Sequence, residues 1–155
     1  FAAQKAKAGA SLQEVANDVL ALRPRLCHWF TVDDLVYLKR GGRVSSTAAF
    51  VGGVLDIKPV LHVDDEGHLI NMLKVRGRKK SISALLQKYE ETAEDKENGV
   101  YFISHGDCLA DAQALEAAIR TKYGNSAQLI TYIGSVIGSQ SGPGTLALFF
   151  LGNHR

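Results

Sequence analysis

The sequence predicts an α/β protein in which a mixed sheet is covered by helices, and three observations lead there. Runs of β-prone residues alternate with stretches of helical spacing. Two of the β runs, 57–63 and 68–75, are separated only by Asp64-Asp65-Glu66-Gly67. That makes them an antiparallel hairpin, which fits a mixed sheet better than a purely parallel, doubly wound one. Finally, 155 residues with 46% apolar and 22% charged side chains supply one core without staples.

Taken in order, residues 2–23 have helical spacing through Leu12, Val15, Ala16, Val19 and Leu20. Ser11 to Glu14 has the form of a capping box, which allows a restart after Gly9. Pro24 ends this region, and 26–32 reads as a short buried strand. Asp33 is the expected cap of a short helix that runs through Leu38 and stops at Gly41 and Gly42. Ser45, Ser46 or Thr47 is placed to cap another short helix containing Ala48, Ala49, Phe50 and Val51. After the hairpin, Ile82, Leu85, Leu86 and Tyr89 mark a helix from Lys79 to about Lys96, its charged 90–98 stretch a solvated end and turn. A strand is expected at 100–104, a helix capped by Asp107 and running to Tyr123, and final strands at 128–133 and 145–151. The glycine- and serine-rich segment 134–144 reads as a loop between those last two strands.

Charge and cysteine content exclude several classes. The net charge of +2 gives no general case for nucleic acid or an anionic membrane, although local basic clusters remain of interest. Cys27 and Cys108 match no metal-ligand spacing and make no disulfide framework, so they read as reduced thiols of a cytosolic protein. No apolar run approaches the length that spans a bilayer, and there is no signal-peptide pattern. The chain opens at Phe1, within a stretch of helical spacing, and is expected to be a fragment of a longer protein.

Four segments carry candidate chemistry. In Tyr37-Leu38-Lys39-Arg40-Gly41-Gly42-Arg43-Val44-Ser45 three cations flank a glycine pair before a possible helix start, a setting that grips carboxylate or phosphate. The same residues also fit a helix C-terminus with basic residues offsetting the macrodipole. Lys74-Val75-Arg76-Gly77-Arg78-Lys79-Lys80 holds five cations in seven residues. Alternation puts Lys74 and Arg76 on one side, as an acidic-partner surface or a solvated corner; interleaved aromatics, which nucleic acid would want, are absent. Segment 134–144 offers backbone donors at a strand end but is not a Walker loop. In Ser104-His105-Gly106-Asp107 a catalytic reading competes with Asp107 acting as a cap. No nucleophile elbow and no ligand-spaced histidine group occurs, so no catalytic or metal-binding residue is assigned.

Read together, several segments resemble one family. Val32-Asp33-Asp34-Leu35 with 37–43, then Leu55-Asp56-Ile57-Lys58-Pro59, Lys74-Val75-Arg76-Gly77, Ile103-Ser104-His105-Gly106-Asp107 and Ile137-Gly138-Ser139-Gln140-Ser141-Gly142-Pro143-Gly144 resemble, in order and spacing, the C-terminal half of DegV-family proteins. The resemblance covers nearly the whole chain and implies a mixed, largely antiparallel sheet with helices packed on it. It implies that 1–155 is a C-terminal domain, that 1–24 is an inter-domain helix, and that an α/β N-terminal domain supplying carboxylate-holding hydroxyls precedes it. The implied function is to bind a long-chain fatty acid, with no cofactor, and to present it to an ATP-dependent fatty acid kinase subunit that makes acyl phosphate. This is a cytoplasmic, non-catalytic role without nucleic acid or membrane insertion.

By the same resemblance Gly138, Ser139, Gln140 and Ser141 lie near the fatty-acid carboxylate, and Arg43, Arg76 and Lys74 are candidates for docking the kinase or its phosphate end. Gln140 is a departure, since the family commonly has histidine there. Glutamine still donates an N–H but cannot become cationic. Apolar strands around 54–63 and 146–151 are candidates for lining the acyl slot. The alternative is an enzyme acting on a phosphorylated or carboxylate metabolite with Arg43, Arg76 and His105.

Overall fold

The computed structural model of the chain describes residues 1–44 and 56–154. Six strands make one sheet: β1 (Leu26–Thr31), β2 (Ile57–Val63), β3 (Leu69–Arg76), β4 (Tyr101–His105), β5 (Leu129–Tyr132) and β6 (Leu146–Leu151). Their order is β3-β2-β1-β6-β4-β5. All neighbours pair antiparallel except β4 and β5, which are parallel. The expected mixed, largely antiparallel sheet is therefore what forms. Helices are α1 (Ala2–Lys7), α2 (Leu12–Leu22), α3 (Leu35–Arg40), α4 (Arg78–Thr92), α5 (Leu109–Tyr123) and α6 (Ser135–Ser141).

Strand alternation sends Cys27 and Trp29 of β1, Leu146, Leu148 and Phe150 of β6, and Tyr101 and Ile103 of β4 to one face. There they pack on Leu85 and Tyr89 of α4 and Leu115 and Ile119 of α5. Tyr89 sits at the middle, its ring centroid 5.0 Å from Phe150 and 5.5 Å from Tyr101. Each such fully buried apolar side chain contributes about 1.5–3 kcal/mol. Asn125 closes the base of this core, its amide donating to the carbonyls of Gly99 at 2.7 Å and Lys96 at 3.2 Å.

Several boundaries differ from the sequence expectations for local reasons. The first helix breaks at Gly9, whose φ is +93°, and restarts at the Ser11–Glu14 capping box. Region 1–24 is thus two helices, with the restart that the capping box allowed, and the start of a 3₁₀ turn. The cap of α3 is Asp34, which accepts the Val36 N–H at 2.8 Å, not Asp33. Helix α4 stops at Thr92 because Ala93 turns extended to bridge Gly152, and the Asp95 carboxylate then accepts the Glu97 and Asn98 N–H groups. Asp107, with φ +55°, does not cap α5; Cys108 holds that position without a side-chain capping bond. Gly124, in the left-handed region at φ +72°, ends α5.

The hairpin contains a bulge that the alternation did not reveal. Pairing shifts between Val60 and Leu61. Leu69 consequently joins a small second cluster with Val32, Leu35, Leu38 and Leu61, whereas Leu73 and Val75 pack against the main core. The helix expected from Ser45, Ser46 or Thr47 through Val51, and the lining position Val54, lie outside the described residues.

Candidate functional site: a groove on the open face of the sheet

The same alternation leaves Leu26, His28 and Phe30 of β1, Ala147, Phe149 and Leu151 of β6, and Phe102 and Ser104 of β4 on the opposite face. Among the described residues, α3 and α6 form the cover at one end and pack on each other. Between them and the strands runs a groove of about 440 Å³. Its walls are mainly apolar, including Phe30, Leu38, Ile137, Ala147 and Phe149, with Arg43, Gln140, Ser141, Ser104 and Tyr132 as polar members. That combination, apolar walls with a few polar groups, is the usual make-up of a small-molecule site. A second groove of about 530 Å³ opens beyond it, between the α1–α2 arm and Leu26, Phe102 and Leu151.

Segment 134–144 is not the loop expected from its glycines: Ser135–Ser141 is helix α6. One interior glycine costs a helix only about 1 kcal/mol, and tertiary contact offsets it. The contact is close. Gln140 Cγ lies 3.3 Å from where a Cβ at Gly41 would stand, so Gly41 after α3 lets the two helices meet. Gly142, with φ +81°, lies flat against the Tyr37 ring, where a side chain would overlap the aromatic atoms.

The helical form changes what the predicted carboxylate residues offer. The Ser139 hydroxyl donates to the Val136 carbonyl and the Ser141 hydroxyl to that of Ile137, both at 2.9 Å. Each has its one proton engaged within the helix. Ser141, 4% exposed, and half-buried Gln140 line the groove, whereas Gly138 and exposed Ser139 do not.

The basic candidates separate. Arg43 lines the groove just after Gly42, whose φ is +68°, and its N–H returns to Leu38 at 2.8 Å. Lys39 and Arg40 fall in the last turn of α3, as the macrodipole reading requires. Lys74 and Arg76 are both exposed on edge strand β3, opposite Pro59 and Ile57, and do not line the groove. Arg78 turns inward instead, to Asp111 at 2.8 Å, Cys108 Sγ at 3.4 Å and Asp33 at 3.6 Å. The run of cations is therefore not one patch. Burial pushes the Cys108 thiol up, with Arg78 pulling the other way.

His105 is 2% exposed, with its ring centroid 4.5 Å from that of Tyr132, and it lines neither groove. Its neighbour Asp107 is exposed. Sequence reasoning missed His28, which stands in the groove edge-on to Phe149 at 5.6 Å. The signal was there: Leu26, His28 and Phe30 form one alternating set of β1, so both faces of that strand carry large side chains.

Fold and groove together define an α/β domain whose sheet packs one face on a helix-covered core and leaves an apolar-walled groove on the other. The chain belongs to the DegV family: the family model described as "Uncharacterised protein, DegV family" matches residues 1–153. It is 50% identical over its whole length to a DegV domain-containing protein of Clostridium perfringens, of which it covers 53%. A fatty-acid-binding DegV family protein of Thermus thermophilus is 30% identical with a TM-score of 0.83; the match covers 97% of this chain and 54% of that one. The fatty acid kinase B3 protein of Streptococcus pneumoniae, loaded with linoleic acid, shares the fold at 22% identity and a TM-score of 0.86, over 96% of this chain and 52% of that one. The chain thus spans about half the length of the relatives it matches.

Proposed function

We propose that this chain is the C-terminal domain of a fatty-acid-binding protein that presents its bound acid to a kinase subunit. The observation that carries the reading is the apolar groove ending at Gln140, Ser141 and Arg43 on the open sheet face. The fatty acid bound by the Thermus relative supports it. In this reading the acyl chain lies on the sheet, and burial of its methylenes supplies most of the affinity at about 0.8 kcal/mol each. The Gln140 amide orients the carboxylate, with Gly138, Ser139 and Ser141 shaping the helix that holds it. A preceding domain covers the groove and contributes further hydroxyls, with region 1–24 as the connection. Exposed Leu12, Val19 and Leu20 on α2, which has no buried residue, suit an arm with more protein to pack on.

Arg43, Arg76 and Lys74 are exposed cations suited to a kinase subunit and its nucleotide phosphates. The kinase is the catalytic partner, and the setting is cytoplasmic. Among the described residues no helix is long and apolar enough to cross a membrane. The alternative enzyme set of Arg43, Arg76 and His105 is less favoured, because the groove lined by Arg43 includes neither buried His105 nor exposed Arg76.

Native mass spectrometry and lipid extraction of the full-length protein test the reading. Recovery of a stoichiometric long-chain fatty acid is expected. Repeated recovery of lipid-free protein that also fails to take up added oleate would overturn it.

A further inference from the structure

Helix α6 does not hold itself. It has seven residues, an interior glycine and no side-chain cap, and a helix that short is marginal in water by itself. Its ends are fastened elsewhere. On the entry side the Ile133 N–H donates to the His105 carbonyl at 2.9 Å. On the exit side the Gly144 N–H donates to the Gly106 carbonyl at 2.6 Å, and the Gly106 N–H to the Thr145 carbonyl at 2.7 Å. The hydroxyl of buried Thr145 then donates at 2.7 Å to the carbonyl of Gly142, the residue that ends α6. The last residue of β4 and the one after it thus clasp both ends of the segment that carries Gln140 and Ser141. The fit is close: a Cβ at Gly106 would stand 2.9 Å from the Gly142 oxygen.

We infer that Gly106 and Thr145 are positioning residues for the carboxylate end of the ligand, acting through α6 to set where the Gln140 amide stands. The inference rests on the fatty-acid reading above and extends it to groups behind the site. Gly106 lines neither groove. Thr145 lines the one that holds Gln140, but its single hydroxyl proton is engaged at Gly142. Polar groups of a binding site have to be held within about 0.5 Å, so a small shift of α6 is felt at the headgroup before it is felt along apolar walls.

The test compares oleate with oleyl alcohol, which has the same chain and no carboxylate, by titration calorimetry on the full-length protein. Thr145→Val removes the hydroxyl and keeps the branched shape, whereas Gly106→Ala pushes on the Gly142 carbonyl. Each should lose about tenfold of the preference for acid over alcohol, the worth of one hydrogen bond to a charged group, with alcohol binding much less affected. Thr145→Ser, which keeps the hydroxyl, should recover most of that preference. In a Gln140→Ala background Thr145→Val should have no further effect. Thermal melts without ligand establish which variants fold, and Thr145→Val carries the test if Gly106→Ala does not. Equal losses for acid and alcohol, an unchanged preference in the folded variants, no recovery in Thr145→Ser, or a loss that persists without Gln140 would overturn the inference while leaving fatty-acid binding intact. So would an unaltered protein that binds both ligands equally. Binding of neither ligand by the unaltered protein would instead remove the functional reading beneath it.

Discussion

The two faces of the central strands are made from the same side-chain types yet do different work. Phe150 and Phe149 are sequence neighbours on β6, and the first is 3% exposed among Tyr89, Leu148 and Cys27, whereas the second is half-buried in the groove. On the helix-covered face apolar burial supports the fold. On the open face the apolar surface remains available, and the α3–α6 contact holds it in shape. Hydrophobicity alone does not distinguish the two; the cover does.

The sharpest way to break this comparison is a pair of single substitutions in the isolated domain. Phe150→Ala should cost about 3–5 kcal/mol of stability. Phe149→Ala should cost about 1–2 kcal/mol, because less of its surface leaves water on folding. Urea denaturation measures both, and equal costs would show that the open face is ordinary core. Next in size is Gly142→Ala. The new Cβ would overlap the Tyr37 ring at a backbone angle that L residues rarely adopt. A loss of about 1–3 kcal/mol is expected by the same measurement. It should be accompanied in the full-length protein by weaker fatty-acid uptake, since α6 must shift.

A smaller effect is expected from Gln140→His. Imidazole ordinarily titrates near 6.5, and a carboxylate beside it raises that value in the complex. The added affinity is present below the free imidazole's value and fades as pH rises through the raised one. A gain of about tenfold between pH 8 and pH 5.5, absent from the unaltered protein, is the expected titration-calorimetry result. Least disruptive is Asp64→Ser at the hairpin turn. The His68 N–H, donating at 2.7 Å, holds the Asp64 carboxyl below its usual range. A carboxyl lowered by folding stabilises the fold above its unfolded value and loses that contribution as pH falls through the folded one. The substitution should therefore flatten the acid limb of the stability profile slightly.

Much of the fold was legible because the sequence encodes it locally. The hairpin, the capping box and the apolar spacing of α4 are short-range signals, and all three appear as expected. What was not legible depends on contacts between distant segments. Helix α6 exists because Gly41 and Tyr37 receive it, so its glycines read as a loop when considered alone. Arg78 looked like one more surface cation until Asp111 and Asp33, far away in the chain, turned it inward. Asp33 and Asp107 were credited as caps on position, but each helix starts one residue later, with Asp34 reaching the Val36 N–H and Cys108 making no side-chain capping bond. Of the residues that the family resemblance put near the carboxylate, Gln140 and Ser141 line the groove, and so does Arg43, which it put forward for docking the kinase. His28 was missed because a strand with large residues on both sides conceals which face is sealed.

Photolabelling of the full-length protein with a long-chain fatty acid bearing a diazirine near its methyl end tests the central claim most directly. The account predicts adducts on the open face, at groove residues such as His28, Phe30 or Phe149. Adducts confined to α4, α5 or other surfaces of this chain, or none on this chain from a protein that is fully loaded, would contradict it.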